Sequence, residues 1–342
     1  MKILIVGSNT DFAIERYFAK YLAEVGADIF LFPSADIVFN YHSKNIINKV
    51  LFKTGINKNY KPVNKELTRI AYEYKPDVIW LFKGMEIYPE TLNLLRKDYK
   101  LVNYNPDHPF IIPGPGSGNA NVTMNVGLFH LHFCYQKSLQ QQIETEFGIQ
   151  TVFLPFGFEL SDDVYQSVKN TNEIKKVCFI GNPDKIRIET IKHIAEKGFE
   201  IDVYGHGWNK TNLKNHRNVT VSDAVYGSDY WSKLMQYRVQ LNIFRIHNIG
   251  SHNMRTFEIP AVGGIQLAPH SEEHISFFEA DKEAFFYNNN LEMMQTINKL
   301  LNLDRNAANN IRTRARARSI ESKYSYAERS KIVYNTFKGM IK

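Results

Sequence analysis

The residues whose types and spacing best suit binding or catalysis lie between two apolar runs, in a stretch that starts at Gly250. Pro260 is tolerated in a helix only within the first turn, so a short helix is predicted to begin a few residues before it. The Gly-Gly pair that follows predicts the end of this helix. Arg255 and Glu258 are therefore predicted at or near a helix N-terminus.

Such a helix end can bind a phosphate group. Its first backbone N–H groups lack partners in the helix, and the positive end of the helix dipole lies behind them. Asn253 and Arg255 would add side-chain donors for the same anion. The Glu258 carboxylate, one step further in, could accept hydrogen bonds from a pair of sugar hydroxyls. The alternative is that Glu258 only complements the helix dipole and Arg255 only solvates a surface.

The segment from Asn253 to Gly264 resembles the C-terminal domain signature of GT-B glycosyltransferases. It is most similar to the group of the spore maturation protein CgeB and, more distantly, to the retaining family with an E-x7-E motif. In that family the second Glu holds the donor ribose, and Glu258 matches it. Gly250 occupies the place of the first Glu, which leaves the donor sugar open. The resemblance implies an α/β fold with two Rossmann-like domains facing across a cleft, and a C-terminal helix that returns to the N-terminal domain.

The order of apolar runs agrees with two such domains. Lys2–Val6 is predicted to be a strand followed by a glycine turn and a helix, and Lys176–Ile180 opens a second unit in the same way. The pattern Gly-x-Gly-x-x-Gly is absent after the first strand, which argues against a dinucleotide site there. We expect an acceptor-side domain at 1–159, a linker at 160–174, a donor domain at 175–324 and a C-terminal helix at 325–342.

Two glycine turns of the second domain are similar to turns that face the donor in this group. One precedes the helix that contains Arg187, which the resemblance places at the diphosphate; a solvated helix residue is the alternative. The second is a tight loop near the base. The full donor set implied by the resemblance is Gly181, Arg187, Gly205, His206, Gly207, Asn253, Met254, Arg255 and Glu258.

The loop Asn103–Phe110 places polar groups at the C-terminal end of a predicted strand, where open α/β sheets bind ligands. Its prolines exclude a helix. The loop resembles the Asp-rich, Pro-Phe loop of the CgeB-like group, at the position where retaining GT-B enzymes carry a His that faces the reaction centre. Asp107 and His108 are therefore the catalytic candidates. An Asp that caps a turn beside an uninvolved His is the alternative.

We predict no metal site and no cofactor. His130 and His132 are predicted on one face of a strand, but no third ligand is recognisable nearby, so we interpret both as structural. The sequence has no Asp-x-Asp motif for a diphosphate-bound metal. The resemblance implies retention of anomeric configuration without a metal, with the leaving-group charge met by guanidinium groups and backbone dipoles.

The charge balance indicates anionic partners. The 42 basic and 35 acidic residues give a net charge of +7. Residues 40–61 interleave lysines with apolar residues at helical spacing, as in helices that lie on anionic membranes. The more ordinary interpretation is a helix packed on its own domain with its lysines in water. An Arg-rich tract of period two is interpreted as solvated surface rather than a nucleic-acid groove; it comprises Arg312, Arg314, Arg316 and Arg318.

We therefore expect a cytoplasmic glycosyltransferase, free or at the inner face of the membrane, that takes part in polysaccharide biosynthesis. It would move a sugar from a nucleoside-diphosphate sugar to a glycan, lipid-linked or protein acceptor. Cys134 and Cys178 lie in apolar runs and are predicted to be buried thiols. Two alternatives stay open. One is a GT-B-like sugar-nucleotide epimerase, and the other is a non-enzymatic basic protein associated with membrane or nucleic acid, for which no nucleic-acid motif is recognisable.

Overall fold

Two compact units make up the part of the chain that the computed structural model describes, namely residues 1–53, 60–112, 114 and 116–341. The first unit combines Met1–Pro155 with Tyr326–Lys342, and the second is Phe156–Ser325. Each unit contains one six-stranded sheet of strands paired in parallel, with helices between the strands. The predicted α/β class with two Rossmann-like sheets is therefore confirmed.

The first unit is built on six strands that follow one another along the chain. These are β1 Lys2–Val6, β2 Asp28–Phe32, β3 Val78–Phe82, β4 Lys100–Tyr104, β5 Leu131–Cys134 and β6 Gln150–Phe153. Their order across the sheet is β2-β1-β3-β4-β5-β6, so the direction of winding reverses between β1 and β3. Every residue of β3 is buried, as expected for a central parallel strand covered on both faces.

Seven helices of the first unit connect these strands: α1 Ile14–Glu24, α2 Ser34–Ser43, α3 Ile46–Lys53, α4 Tyr60–Tyr74, α5 Pro89–Leu95, α6 Ala120–Asn125 and α7 Lys137–Phe147. Phe18 of α1 packs edge-on against Trp80 of β3, with ring centroids 5.0 Å apart. Large aromatic rings of this kind supply much of the apolar area that the unit buries. Cys134, at the end of β5, is a free buried thiol as predicted.

The second unit repeats the plan. Its strands are β7 Ile174–Ile180, β8 Ile201–Tyr204, β9 Val219–Ser222, β10 Tyr237–Leu241, β11 Gln266–Pro269 and β12 Phe285–Tyr287. Their order is β12-β11-β10-β7-β8-β9, so winding reverses between β7 and β10. Cys178, within β7, is also a free buried thiol.

Helices of the second unit are α8 Asp162–Val168, α9 Lys185–Glu196, α10 Gly227–Gln236, α11 Arg255–Val262, α12 Glu272–Phe277, α13 Asn290–Leu301 and α14 Arg305–Glu321. The last helix, α15 Tyr326–Met340, belongs to the first unit, where Tyr326 packs against Phe18 with ring centroids 5.4 Å apart. Residues 160–174, expected to be a linker, instead contain α8 and lie within the second unit. Pro260 is the sixth residue of α11, later than the first turn predicted for it.

Two predictions about charged segments are wrong in part. The Arg-rich tract is not solvated surface throughout, because Arg312 is buried and its Nη1 donates to the carbonyl oxygens of Met235 and Gly263. Arg316 is half-buried and stacks on Tyr165, with its guanidinium carbon 3.3 Å from the ring centroid. These arginines pair with backbone carbonyls because such groups need donors when they are buried.

The basic stretch 40–61 is not one helix but the end of α2, then α3, then the start of α4. The ordinary interpretation, packing on its own domain, fails for Ile46 and Ile47, whose side chains are 78% and 71% exposed. Lys58, counted in the same pattern, lies outside the described residues. In the part of the chain that is described, no helix combines the length and apolar character needed to cross a bilayer.

Candidate functional site

The sheet of the second unit sets the position of the candidate site. Parallel sheets bind ligands outside the carboxyl ends of their strands, where the winding direction reverses. In this unit that place lies between β7 and β10. Gly181 directly follows β7, and Arg245 follows β10 by four residues. The residues near these two strand ends are therefore the first to consider.

Two glycines allow the turns after β7 and β8 to approach each other closely. The Gly181 carbonyl accepts a hydrogen bond from Trp208 Nε1 at 2.7 Å. A Cβ atom on Gly205 would lie 2.3 Å from that same carbonyl oxygen, so only glycine fits at position 205. Gly207 adopts a φ of +99°, which also favours glycine. The predicted glycine loop thus forms a tight turn, and His206 N in its centre donates to Asn182 Oδ1 at 2.9 Å.

Arg187 is buried, with 4% of its surface exposed, although it carries a guanidinium group. Asp184 caps the start of α9, because its Oδ1 accepts from Arg187 N at 3.0 Å. The guanidinium donates from Nη1 to the Asn182 carbonyl at 2.9 Å and from Nη2 to the Ile243 carbonyl at 3.3 Å. Arg187 therefore joins the turn after β7 to the segment after β10, and the alternative of a solvated helix residue is wrong.

The charges of two other arginines act on Arg187 at this place. Burial lowers the pKa of Arg187 to about 9, and the nearby charges of Arg255 and Arg245 lower it further, while Asp184 acts in the opposite direction. Arg187 stays charged at neutral pH, and a third cation, Arg245, joins the two that the sequence pattern indicated. Such a concentration of positive charge favours an anion as ligand.

Arg255, the first residue of α11, lies close to Gly181. Its Nε is buried and has no hydrogen-bond partner among the described residues. Its Nη2 lies 3.5 Å from the position that a Cβ on Gly181 would take, so the guanidinium lies beside the turn after β7. A buried donor without an acceptor is costly, which makes Arg255 the natural group to meet a ligand oxygen.

Glu258 lies one turn further along α11. Its Oε2 accepts a hydrogen bond from the Tyr230 hydroxyl at 2.6 Å. Burial raises the pKa of Glu258, while the Arg255 charge and the Tyr230 hydrogen bond act to lower it. A carboxylate offers about four acceptor sites, so this one can accept further hydrogen bonds. Tyr230 was not singled out from the sequence, and no pattern around it could have indicated its role.

Asn253 has a different place from the one predicted. It forms a reciprocal cap with Thr256: Asn253 N donates to Thr256 Oγ1, and Thr256 N donates to Asn253 Oδ1, both at 3.2 Å. Asn253 Nδ2 donates to Asn242 Oδ1 at 2.7 Å. Both polar atoms of this side chain are thus used within the protein, and they fix the start of α11 rather than face a phosphate. Met254, half-buried, follows the cap, and its carbonyl accepts from the N–H groups one turn on.

The departure from the E-x7-E pattern has a backbone basis. Gly250, at the place of the first Glu, is exposed and adopts a φ of +81°. A glutamate would be strained in that left-handed conformation. The loop before α11 therefore follows a path that suits glycine, and no carboxylate is offered from this position.

The predicted catalytic pair lies in the first unit, after β4. Asp107 forms an ion pair with Lys83, with Oδ2 and Nζ 2.5 Å apart. His108 is buried, and its Nδ1 accepts a hydrogen bond from Phe110 N at 3.3 Å. A neutral imidazole that accepts at Nδ1 carries its proton on Nε2, so His108 is a donor rather than a base in this arrangement.

A second group of the first unit was missed by sequence reasoning. Glu15 Oε1 accepts from Ser8 N at 3.1 Å, and Asp36 accepts from the Ser8 hydroxyl at 2.7 Å, beside the turn that follows β1. Burial raises the pKa of Glu15 to about 7; the Ser8 hydrogen bond and Lys83 lower it, and Asp36 raises it. The only signal in the sequence was Gly7 after a strand, which indicated a turn but not the carboxylates around it.

His130 and His132 have structural contacts. His130 Nδ1 accepts from Leu101 N at 3.0 Å, and His132 Nε2 lies 2.9 Å from the Val126 carbonyl. Burial lowers the pKa of His132 to about 4, which keeps the imidazole neutral. Within the described ranges, no group of three or more His, Cys, Asp or Glu residues is arranged to hold a metal.

The site can now be compared with known proteins. A family model described as glycosyl transferase-like matches residues 187–334, which include Arg187, Arg255 and Glu258. The sequence matches no curated protein. Sucrose-phosphate synthase from Thermosynechococcus elongatus is similar in structure, with a TM-score of 0.72, 10% identity and 99% of each chain covered.

Two further solved structures contain nucleotides. Anabaena HepE in complex with UDP-glucose has a TM-score of 0.66 and 14% identity, over 99% of this chain and 100% of that one. UDP-GlcNAc 2-epimerase from Neisseria meningitidis, bound to UDP-GlcNAc, has a TM-score of 0.59 and 14% identity over the same shares. The finer grouping with CgeB-like proteins stays a prediction. The chain has the GT-B fold, and its residues 187–334 match a glycosyl transferase-like family model. Together these findings confirm the predicted enzyme class, a glycosyltransferase.

Proposed function

We propose that this chain transfers a sugar from a nucleoside-diphosphate sugar to a glycan, lipid-linked or protein acceptor, with the donor bound by the second unit. The observation that carries the proposal is Arg255, whose buried Nε has no partner in the described chain and whose guanidinium adjoins Gly181. The charges of Arg255 and Arg245 both act on Arg187, and a bound anion would offset this repulsion. A diphosphate carries that charge and accepts hydrogen bonds from planar guanidinium groups in pairs.

The three arginines would have different tasks. Arg255 and the exposed Arg245 would contact the diphosphate directly. Arg187 donates from Nη1 and Nη2 to backbone carbonyls. It would therefore shape the turn at Gly181 and add positive charge without contacting the diphosphate. Removal of Arg187 should therefore affect stability as well as donor affinity, whereas removal of Arg255 should affect donor affinity alone.

Glu258 would bind the ribose. Its carboxylate is held by Tyr230 and lies on the same helix as Arg255, which places an acceptor for hydroxyl groups beside the proposed phosphate site. For the base we propose uracil, because similar folds have been solved with UDP-glucose and UDP-GlcNAc. His206 and Tyr226, with Nε2 and hydroxyl 2.9 Å apart, are aromatic groups on the glycine loop side that could stack on a base.

The chemistry would rest on charge stabilisation. As the bond to the sugar breaks, negative charge grows on the diphosphate, and the arginines of the second unit would stabilise it in the transition state. Metal independence is part of the proposal, because the arginine cluster would supply the positive charge that a metal would otherwise supply. Retention of configuration is also proposed, on the resemblance to retaining GT-B enzymes. We propose His108, which carries its proton on Nε2, as a catalytic hydrogen-bond donor, and the Lys83–Asp107 pair would hold its loop.

A nucleotide screen tests the proposal. The melting temperature of the protein is measured with UDP, GDP and TDP and with their sugars, with and without EDTA. We expect UDP and at least one UDP-sugar to stabilise the fold, to the same extent when EDTA is present. A folded protein that none of these ligands stabilises would contradict the donor assignment, and stabilisation that requires Mg²⁺ or Mn²⁺ would contradict metal independence.

An epimerase is the second candidate, favoured by the similarity to UDP-GlcNAc 2-epimerase. The two enzymes differ in whether they require an acceptor. An epimerase converts UDP-GlcNAc without an acceptor, whereas a transferase releases UDP in proportion to the glycoside formed. Proton NMR of UDP-GlcNAc incubated with the protein alone distinguishes them: a new anomeric signal from the 2-epimer would favour the epimerase.

A further inference from the structure

Helix α3, in the first unit, exposes an apolar face. Ile46 and Ile47 have 78% and 71% of their surface exposed, and Phe39, on the preceding helix α2, has 70%. The two isoleucines are adjacent on one side of α3, because consecutive helical residues are about 100° apart. Isolated apolar side chains are common on protein surfaces, but a group of large ones within nine residues indicates an interaction site.

The outward direction of these isoleucines is held by polar contacts on the other side of the helix. Asn48 Nδ2 donates to the Tyr41 carbonyl at 2.8 Å, and the Asn48 carbonyl lies 3.2 Å from His42 Nδ1. Asn48 N donates to Asn45 Oδ1 at 2.8 Å. Helix α3 therefore turns its polar Asn48 towards α2, and Ile46 and Ile47 remain in solvent.

The charge around this face has one sign. Lys44 and Lys49 are exposed beside the isoleucines. The sequence has no Asp or Glu between Asp36 and Glu66, although this interval contains six lysines: Lys44, Lys49, Lys53, Lys58, Lys61 and Lys65. The whole chain carries a net charge of +7. A surface that is both apolar and basic complements one that is both apolar and anionic.

We propose that the face of α3 formed by Ile46 and Ile47, with Lys44 and Lys49 beside it, binds the surface of an anionic lipid bilayer. The isoleucines would enter the boundary between headgroups and acyl chains, and the lysine ammonium groups would pair with lipid phosphates. A second copy of the chain is a poorer occupant, because a symmetric contact would bring lysines against lysines. This inference does not depend on the proposed glycosyl transfer.

Vesicle flotation of the full chain tests the proposal. The vesicles contain phosphatidylcholine alone or with about 30% phosphatidylglycerol. We expect the protein to float with the anionic vesicles only, and about 0.5 M salt to weaken its binding. The double variant I46S/I47S, and separately K44E/K49E, should each lower the vesicle-bound fraction about tenfold. Because these side chains are exposed, the variants should melt at the wild-type temperature.

Leu291→Ser is the matched control, since Leu291 is 68% exposed at the start of α13 in the second unit. It should bind vesicles as the wild type does. Absence of wild-type binding to anionic vesicles, or equal binding by I46S/I47S, would overturn the proposal. So would a concentration-dependent dimer in sedimentation equilibrium that I46S/I47S abolishes, because that result would assign the face to a second copy.

Discussion

The two sheets reverse their winding at equivalent places, and these places are lined by different groups, carboxyl groups in one and guanidinium groups in the other. In the first unit Glu15 and Asp36 surround the turn after β1. In the second unit Arg187 and Arg255 surround the turn after β7. Both turns begin with a glycine directly after the strand, Gly7 in one and Gly181 in the other.

The side chain that covers each glycine makes the difference. A Cβ on Gly7 would lie 2.7 Å from Glu15 Oε1, and a Cβ on Gly181 would lie 3.5 Å from Arg255 Nη2. In both units a charged group lies beside this glycine, and at Gly7 the missing Cβ makes the space for it. The same backbone plan thus presents a carboxylate in one unit and a guanidinium in the other. The second arrangement suits phosphate, whereas the first suits hydroxyl groups or cations.

The largest expected effect comes from breaking the backbone geometry of the second unit. Gly205→Ala should lower the free energy of unfolding by about 2 to 4 kcal/mol, because the new Cβ would meet the Gly181 carbonyl. Urea unfolding measures this change. Gly198→Ala is the control: its φ is also positive, but nothing lies within 4 Å of the new Cβ, so it should cost about 1 kcal/mol. Equal losses in both variants would show that the close approach is unimportant.

His108 tests whether the first unit contributes to turnover rather than to donor affinity. His108→Ala should lower kcat by about two orders of magnitude and leave the Kd for UDP nearly unchanged, as expected for a group that acts in the transition state. Kinetics with an identified acceptor give kcat, and calorimetry gives the Kd. Wild-type turnover in this variant would make His108 a loop residue only.

Arg255 tests the positive charge of the second unit. Arg255→Ala should weaken UDP binding by about 1.5 to 3 kcal/mol, which is about 10- to 150-fold in Kd. Arg255→Lys should recover part of the loss, because charge returns without the planar donor pair. Arg305→Ala, at an exposed arginine of α14, is the control and should not change the Kd. Unchanged affinity in Arg255→Ala would remove the basis of the proposed donor site.

Glu258→Gln tests the proposed ribose contact at the same site. Glu258→Gln keeps the shape but loses the charge-assisted part of each hydrogen bond to ribose, about 1 to 2 kcal/mol. The Kd for UDP should rise several-fold to about thirty-fold. Calorimetry with uracil nucleotides that have or lack the ribose hydroxyls gives a second measure: Glu258→Gln should affect only the hydroxylated ligand. A uniform loss for both ligands would argue for a general structural effect.

The last prediction concerns the carboxyl groups of the first unit. The folded-state pKa of Glu15, about 7, exceeds its ordinary value of 4.5, so the folded state keeps a proton that the unfolded state releases. The free energy of unfolding should therefore fall as the pH rises from 4.5 to 7. Glu15→Gln should lack this fall. Parallel pH profiles of wild type and variant, from urea unfolding, would contradict the assignment.

Much of the second unit's site could be predicted from the sequence, because its parts are local. Glycines after apolar runs predicted the turns at Gly181 and Gly205, and a short helix between glycines predicted where Arg255 and Glu258 lie. Spacing along one helix or turn determines such positions directly.

Contacts between distant segments were decided only by the tertiary structure. Arg187 and Arg245 influence each other because β7 and β10 are neighbours, which no local spacing reveals. Asn253, which caps α11, also donates from its amide to Asn242 on another segment, and no local pattern indicates that contact. Hydrophobic periodicity likewise shows which face of a helix is apolar, but not what covers that face. Ile46 is exposed for this reason, and Arg312 is buried, since long-range packing determines which surfaces meet.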